Sequence, residues 1–149
     1  MMLPAKAIAL FIAATVAPHP TAYQAGQVWE YRTRPADAGS LLKIQKIETD
    51  PEAAKYGPIY HISIVGVHLF GQPAAIAIAH LPVSRSVLDE SVTRLVTSDA
   101  EFPDVEEGIA SWREAKGGVF TIPVDEIVMT VDDIASQSRA APADGAPSS

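Results

Sequence analysis

Three histidines are the side chains of this chain with the widest chemical repertoire. His61, His68 and His80 lie in its central part, and an imidazole can act as a general base or bind a metal ion. No two of them stand two or four residues apart, the spacings that put two ligands on one face of a strand or helix. A three-histidine metal site requires the chain after Gly71 to fold back and bring His80 beside His68. We therefore expect histidines with structural or solvent contacts, and neither a metal nor another cofactor.

Carboxylates and hydroxyls form no recognised catalytic pattern. Asp89 is followed by Glu90, and Glu106 by Glu107, but neighbouring residues on a helix point about 100° apart and do not share a proton. The serines near position 86 lie in no Gly-x-Ser-x-Gly motif, and the chain has no glycine-rich phosphate-binding loop. It has no cysteine, which excludes disulfides and a cysteine nucleophile. A small hydrolase or metal-dependent enzyme that joins one of the histidines to Asp89 or Glu90 remains the alternative function.

A row of charged residues alternates with aromatic residues in the first predicted strand. Glu30, Arg32 and Arg34 share one face of that strand because successive side chains point to opposite faces. Two guanidinium groups two residues apart can hold a carboxylate or a phosphate. The same row can instead pair with acidic residues of a neighbouring strand, such as Glu48, and be structural. The three residues are candidate binding residues, and both interpretations stay open.

Acidic residues concentrate in the C-terminal third of the chain. Residues 26–98 hold seven basic and seven acidic side chains, whereas residues 99–149 hold three basic and eleven acidic ones. This balance argues against nucleic acid or an anionic membrane as a partner, since both require a basic surface. Glu106 and Glu107 are candidate contacts for a protein partner with a basic surface. A solvated face that keeps the protein soluble is the alternative.

The predicted secondary structure that positions these residues changes from strands to mainly helices near the middle of the chain. Alternating apolar and polar residues predict strands at 27–33, 41–48, 59–67 and 74–81. Apolar residues at helical spacing predict helices at 84–97, 103–116 and from residue 123 onward, with a short strand at 119–122. Because strands and helices are segregated, we expect an α+β domain: an antiparallel sheet of four to five strands with three helices packed on one side. Trp29, Tyr31 and Trp112 are expected to be core aromatics rather than a ligand cage.

An apolar run near the N-terminus has the pattern of an export signal. Lys6 precedes the apolar residues 7–17, and Pro18 and Pro20 follow; such a run is too short to span a membrane. We expect a signal peptide over residues 1–25, cleaved between Ala22 and Gly26, and a periplasmic or secreted protein that stays off the membrane afterwards. An apolar helix packed on the domain, or an uncleaved anchor, is the alternative. A single domain over residues 26–137 and a disordered tail over residues 138–149 complete the expected organisation.

Five short motifs are spread over the predicted domain. They are Gly26-Gln-Val-Trp-Glu-Tyr-Arg-Thr-Arg-Pro35, Ser40-Leu-Leu-Lys-Ile-Gln-Lys-Ile-Glu48, Ser91-Val-Thr-Arg-Leu95, Gly108-Ile-Ala-Ser-Trp-Arg-Glu-Ala115 and Gly118-Val-Phe-Thr-Ile-Pro-Val124. In these motifs, over nearly the whole domain, the chain resembles a group of small bacterial proteins, which implies the same succession of elements. The resemblance implies no reaction, ligand or cofactor.

Taken together, the residues favour a binding protein over an enzyme. We expect a small exported module, of the periplasmic inhibitor or immunity-protein type, that acts through a face of its sheet or through its acidic C-terminal half. Export, small size, the acidic bias and the missing catalytic pattern all agree with this expectation.

Overall fold

Five strands and three helices make up residues 22–140, the part of the chain that the computed structural model describes. In chain order they are β1 (Val28–Tyr31), β2 (Leu41–Glu48), β3 (Ile59–Val67), β4 (Ile76–Val83), α1 (Arg85–Ser91), β5 (Val92–Val96), α2 (Glu106–Glu114) and α3 (Val124–Ala140). A short 3-10 helix, Pro35–Asp37, lies between β1 and β2. The strands form one sheet in the order β4-β3-β2-β1-β5, with antiparallel neighbours throughout. The expected α+β class, with an antiparallel sheet and three helices, is confirmed.

The predicted helix at 84–97 divides into a helix and a strand. α1 ends at Ser91, where the backbone becomes extended, and Val92–Val96 then pairs with β1. Three of these five residues are β-branched, so the segment suits a strand as well as the apolar stripe of a helix, and pairing with β1 decides between them. The predicted strand at 119–122 is reduced to a single parallel bridge between Phe120 and Val83.

Bulges divide the sheet into an apolar face and a polar face. A bulge in β2 beside Gln45 shifts the alternation of that strand by one residue. As a result Ile47 lies on the apolar face and Glu48 on the polar face. A second bulge, in β4 near Ala79, places His80 on the polar face. The apolar face packs against α1 and α3 and contributes these buried residues to the core: Leu42, Ile44, Tyr60, Ile62, Ile64, Leu81 and Val83. The polar face carries Gln45, Glu48, His61, Ser63 and His80.

α2 packs on the polar face, opposite the other two helices. Gly108 of α2 lies against His80, where a Cβ atom built on the glycine would be 2.6 Å from the Cβ of the histidine. Gln45 donates a hydrogen bond to the carbonyl of Pro103, just before the helix (2.9 Å). Ile109 is buried, outside the apolar cluster that α1 and α3 cover. The expected placement of three helices on one side is therefore corrected for α2, because buried polar groups on this face require hydrogen-bond partners that an apolar helix does not supply.

The core begins upstream of residue 26, the expected start of the domain. Tyr23 is buried, and its ring lies edge-on to Trp29 (centroids 5.7 Å apart) and to Tyr60 (5.8 Å). Its hydroxyl donates to Asp89 Oδ1 at 2.7 Å, and burial raises the pKa of this hydroxyl. The folded part of the chain therefore includes Tyr23.

The two predicted terminal segments lie largely outside the described residues. Most of the signal peptide expected over residues 1–25 precedes residue 22, and all but three residues of the tail expected from residue 138 follow α3, which ends at Ala140. Within residues 22–140, no helix has both the length and the apolar character needed to cross a bilayer.

Replacing Tyr23 by alanine should lower the free energy of unfolding by about 3 kcal/mol, since the change removes a buried aromatic ring and leaves a cavity. The measurement is urea denaturation followed by far-UV circular dichroism. Tyr56→Ala is the matched control, because that side chain is 93% exposed, and we expect it to change the free energy of unfolding by less than about 0.5 kcal/mol. Equal midpoints for the two variants would contradict the assignment of Tyr23 to the core.

Candidate functional site

Four hydrogen-bonded side chains form a line across the polar face, which we call the histidine chain: Arg113, Glu48, His61 and His80. Arg113 Nη2 donates to both carboxylate oxygens of Glu48, at 2.6 and 2.8 Å. The line continues with a hydrogen bond between Glu48 Oε1 and His61 Nε2 (3.2 Å) and one between His61 Nδ1 and His80 Nε2 (2.9 Å). The two imidazoles are stacked, with centroids 5.1 Å apart. His61 is fully buried, whereas His80 is partly buried.

The strand register explains why these residues meet. His61 pairs with Pro82 across the β3–β4 hairpin, and the bulge near Ala79 turns the side chain of His80 towards the face that carries His61. On the other side, the bulge in β2 brings Glu48 to the same face. Without either bulge, the alternation of the strands would place one of the partners in the apolar core.

The protonation states follow from burial and from the ion pair. Burial lowers the pKa of His61, against the effect of Glu48, and burial together with the nearby His61 lowers the pKa of His80 to about 4. Hydrogen bonds from Arg113 lower the pKa of Glu48. At neutral pH the carboxylate is therefore an acceptor only, so His61 carries its proton on Nε2 and accepts at Nδ1 from His80 Nε2–H.

Trp112 of α2 covers the two histidines. Its ring lies edge-on to His61 with centroids 5.0 Å apart, and its centroid is 6.4 Å from that of His80. The indole Nε1 donates to the carbonyl of Gly118 at 2.9 Å. A Cβ atom on Gly117 would be only 2.5 Å from Trp112 Cδ1, so the chain after α2 passes directly over the indole ring.

A cleft lies on the outer side of Trp112, between residues 50–58 of the β2–β3 loop and residues 112–121. It consists of two hollows of about 610 and 520 Å³, both lined by Ala53, Lys55, Trp112 and Gly117. Volumes of this size are typical of pockets for small ligands. Trp112 thus forms a wall of both hollows and lies between them and the two histidines, whereas Arg113 of the histidine chain lines the larger hollow itself.

All three residues of the predicted charged row form ion pairs or hydrogen bonds within the domain, but only Glu30 lies in β1, because the strand ends at Tyr31. Glu30 pairs with Arg94 of β5 at 2.8 Å, and Arg32 donates to a backbone carbonyl at the end of α1 at 2.6 Å. Arg34 pairs with Asp37 at 2.7 Å and with Asp132 of α3 at 2.8 Å. These acidic partners raise the pKa of Arg34. Of the two interpretations of the row, cross-element pairing is the one that these contacts favour, although Glu48 is not a partner.

The remaining predicted residues are spread over the surface. Glu106 and Glu107 are exposed in the first turn of α2, at its end away from the cleft. Asp89 accepts from Tyr23. His68 is exposed after β3, where its backbone N–H donates to Asp37, so the juxtaposition of His68 with His80 that a three-histidine site requires does not form. Among residues 22–140, no three histidine or carboxylate side chains are grouped in a way that can hold a metal ion.

Sequence reasoning missed the histidine pair and its acidic and aromatic neighbours. A signal was available: a hairpin centred near Gly71 places His61 opposite residues 80–82. Trp112, expected in the core, is only partly buried and lies at the cleft. The bulges that bring Glu48 to the histidines leave no comparable signal in the sequence.

Comparison of the chain with protein-family models, with curated proteins and with solved structures gave no match. The resemblance of its motifs to a group of small bacterial proteins thus stays an expectation.

The histidine chain should make the protein sensitive to mild acid. The pKa of His80 is about 4 in the folded state against 6.5 ordinarily, so the unfolded chain binds a proton more readily. The contribution of the neutral histidine to the free energy of unfolding is then fully present above about pH 6.5 and is lost as the pH drops towards 4. The slope is up to about 1.4 kcal/mol per pH unit for each histidine. The measurement is the free energy of unfolding from urea titrations between pH 4 and pH 8.

His80→Gln keeps a donor for His61 Nδ1 and removes one titrating group, so its profile should be flatter over this range. His68→Gln replaces an exposed ring outside the histidine chain and should keep the wild-type profile. A His80→Gln profile as steep as that of the wild type would show that this pair does not control acid sensitivity.

Proposed function

We propose that the protein is a small binding module whose ligand occupies the cleft beside Trp112. The observation that supports this proposal is that one indole ring both covers the histidine chain and lines both hollows. The indole is held by its ring contact with buried His61 and by its hydrogen bond to the carbonyl of Gly118. A pocket wall fixed in this way keeps its shape before a ligand arrives, which lowers the entropic cost of binding.

Binding is favoured over catalysis because the histidines are engaged with one another and with Glu48. His61 is fully buried and directs both ring nitrogens to partners. Trp112 lies between this ring and the cleft. In this arrangement the histidines position the wall of the cleft rather than contact what it holds.

The acidic start of α2 is the second candidate surface. Glu106 and Glu107 are both exposed there, and a partner with a basic surface would be attracted to them. Since they lie at the opposite end of α2 from the cleft, an NMR experiment that follows individual amide signals distinguishes binding at the two surfaces.

The test is a screen of small aromatic fragments by ¹H–¹⁵N correlation spectra of the full chain. We expect fragments to shift the amide signals of residues 50–58 and 112–121. Gly117→Ala should displace the indole, because its Cβ would be 2.5 Å from Trp112 Cδ1, and should weaken fragment binding by about tenfold, or about 1.4 kcal/mol. Gly39→Ala is the control: it adds a methyl group outside the cleft where no atom lies within 4 Å, at a glycine with a φ of +92°, so it tests the effect of reduced stability alone and should leave fragment binding unchanged.

Two results would contradict the cleft as the binding site. One is a set of fragments whose shifts are confined to other surfaces; shifts at Glu106 and Glu107 alone would favour the acidic start of α2. The other is fragment binding that Gly117→Ala and the control Gly39→Ala leave equally unchanged.

We also propose that the protein acts after export, in the periplasm or outside the cell, as the apolar run after Lys6 predicts. The burial of Tyr23 supports a cleavage point no later than Ala22, since a later cut would remove a core residue. Expression in a bacterial host, followed by cell fractionation and intact-mass measurement, should give an exported form that retains Tyr23. Leu10→Arg should abolish export by interrupting the apolar run. An exported form that begins at Gly26, or a full-length cytoplasmic product, would contradict this proposal.

A further inference from the structure

We infer that two copies of this chain pair through the outer edge of β4, with Ala77 of one copy opposite Ala77 of the other. The two sheets then join into one antiparallel sheet across a two-fold axis. This inference goes beyond the proposed function and does not depend on it, because residues 76–80 line neither hollow of the cleft.

The two edge strands of the sheet differ in how they are protected from pairing. β4 and β5 lie at the two ends of the strand order, and an edge strand presents N–H and C=O groups that can pair with another chain. β5 carries Arg94, which pairs with Glu30, and a charged side chain at an edge discourages such pairing. Residues 69–81 contain no lysine, arginine, aspartate or glutamate, so the edge at β4 lacks this protection.

The open part of the β4 edge is residues 76–80. Past this part, the Phe120 N–H donates to the carbonyl of Pro82 (2.9 Å), and the Ser84 N–H donates to the carbonyl of Phe120 (3.1 Å). Among the described residues, no other strand pairs with β4 on its outer side. Ala77 and Ala79 are exposed, so their methyl groups do not block an approaching strand.

The register of the sheet turns the backbone groups of Ala77 outward. Both backbone groups of Ile44 in β2 bond to residues just before β1. Because these groups alternate between the two sides of a strand, those of Leu41 point to β3, and those of its partner Val65 point back to β2. Ala77 lies opposite Val65 in β4. Its N–H and C=O therefore point away from the sheet, where a second strand can reach both of them.

A second copy of the chain matches this edge on both faces of the strand. When Ala77 lies at the two-fold axis, the two alanines exchange both of their backbone hydrogen bonds, and Ile76 lies opposite Ile78 of the other copy. Both isoleucines are only partly buried against the apolar core, and cross-strand pairing covers more of their surface. On the other face the two Ala77 methyl groups meet, without bulk or charge. A strand of a different protein would have to supply this pattern, whereas a second copy supplies it by symmetry.

The contact is short, which sets the expected strength of the pairing. Phe120 covers one end of the edge, and the bulge near Ala79 interrupts the regular ladder before that end. Interfaces much smaller than the standard size are weak and transient. We therefore expect a reversible dimer with a dissociation constant in the range of tens of micromolar.

The test is sedimentation velocity of the full-length protein over about a hundredfold range of concentration around this value. The wild type should change from monomer to dimer as the concentration rises. Ala77→Lys and Ala77→Glu should each weaken association by about fivefold, because two like charges then face each other at the axis. An equimolar mixture of these two variants should associate at least as tightly as the wild type, since a lysine then faces a glutamate.

The control variant places the same charge on the other edge of the sheet. Thr93 is exposed in β5, and Thr93→Lys should leave the dimer unchanged. Since Ala77 and Thr93 are both exposed, all three variants should keep the wild-type urea midpoint at low concentration. A measurement without any substitution is the ¹H–¹⁵N correlation spectrum of the wild type, in which the amide signals of residues 75–79 should shift as the concentration rises.

Three results would overturn this inference. A wild type that stays monomeric at every concentration would exclude the second copy and leave this edge for a strand of a different protein. A dimer that neither substitution of Ala77 weakens, or concentration-dependent shifts confined to other residues, would place the contact elsewhere. A mixture of Ala77→Lys and Ala77→Glu that associates no better than either variant alone would exclude the two-fold register.

Discussion

The buried carboxylate of Glu48 is the group on which the polar face of the sheet depends. It is 8% exposed, and a buried anion is costly unless donors satisfy its oxygens. Arg113 and His61 supply those donors from different elements, α2 and β3. One anion therefore fixes the docking of a helix and the tautomer of a histidine, and through that histidine the orientation of His80.

This constraint gives the two faces of the sheet different kinds of packing. The face under α1 and α3 is apolar, and its contacts are non-directional. On the other face, hydrogen bonds and ring contacts at the histidine chain hold α2 in one position, with Gly108 allowing the helix to lie close to His80. Directional contacts specify position better than apolar contacts do, so the polar face is where a well-defined cleft wall arises.

The sequence predicts the apolar half of this fold better than the polar half. The bounds of β2 and β3 agree with the predicted strands at both ends, because alternation and turn residues are local signals. β5 falls within a predicted helix, because the residues of Val92–Val96 suit either a helix or a strand. Pairing with β1, which the sequence does not reveal, decides for the strand. The histidine chain depends on two bulges and on the docking of α2, which are tertiary features. Lys116 shows the same limit: Gly117 and Gly118 mark the helix end correctly, yet the left-handed residue is the lysine before them.

The position of Lys116 follows from the way α2 is held at that end. The hydrogen bonds of a Schellman motif close the helix, and the indole of Trp112 donates to Gly118 beyond it. Trp112 is in turn fixed against His61, and the neighbouring Arg113 is fixed by Glu48. A left-handed lysine is tolerated because contacts on both sides determine the path of the chain. The contacts that satisfy one buried carboxylate thus also hold the end of α2 that carries Lys116, and they link the buried polar face to the edge of the cleft.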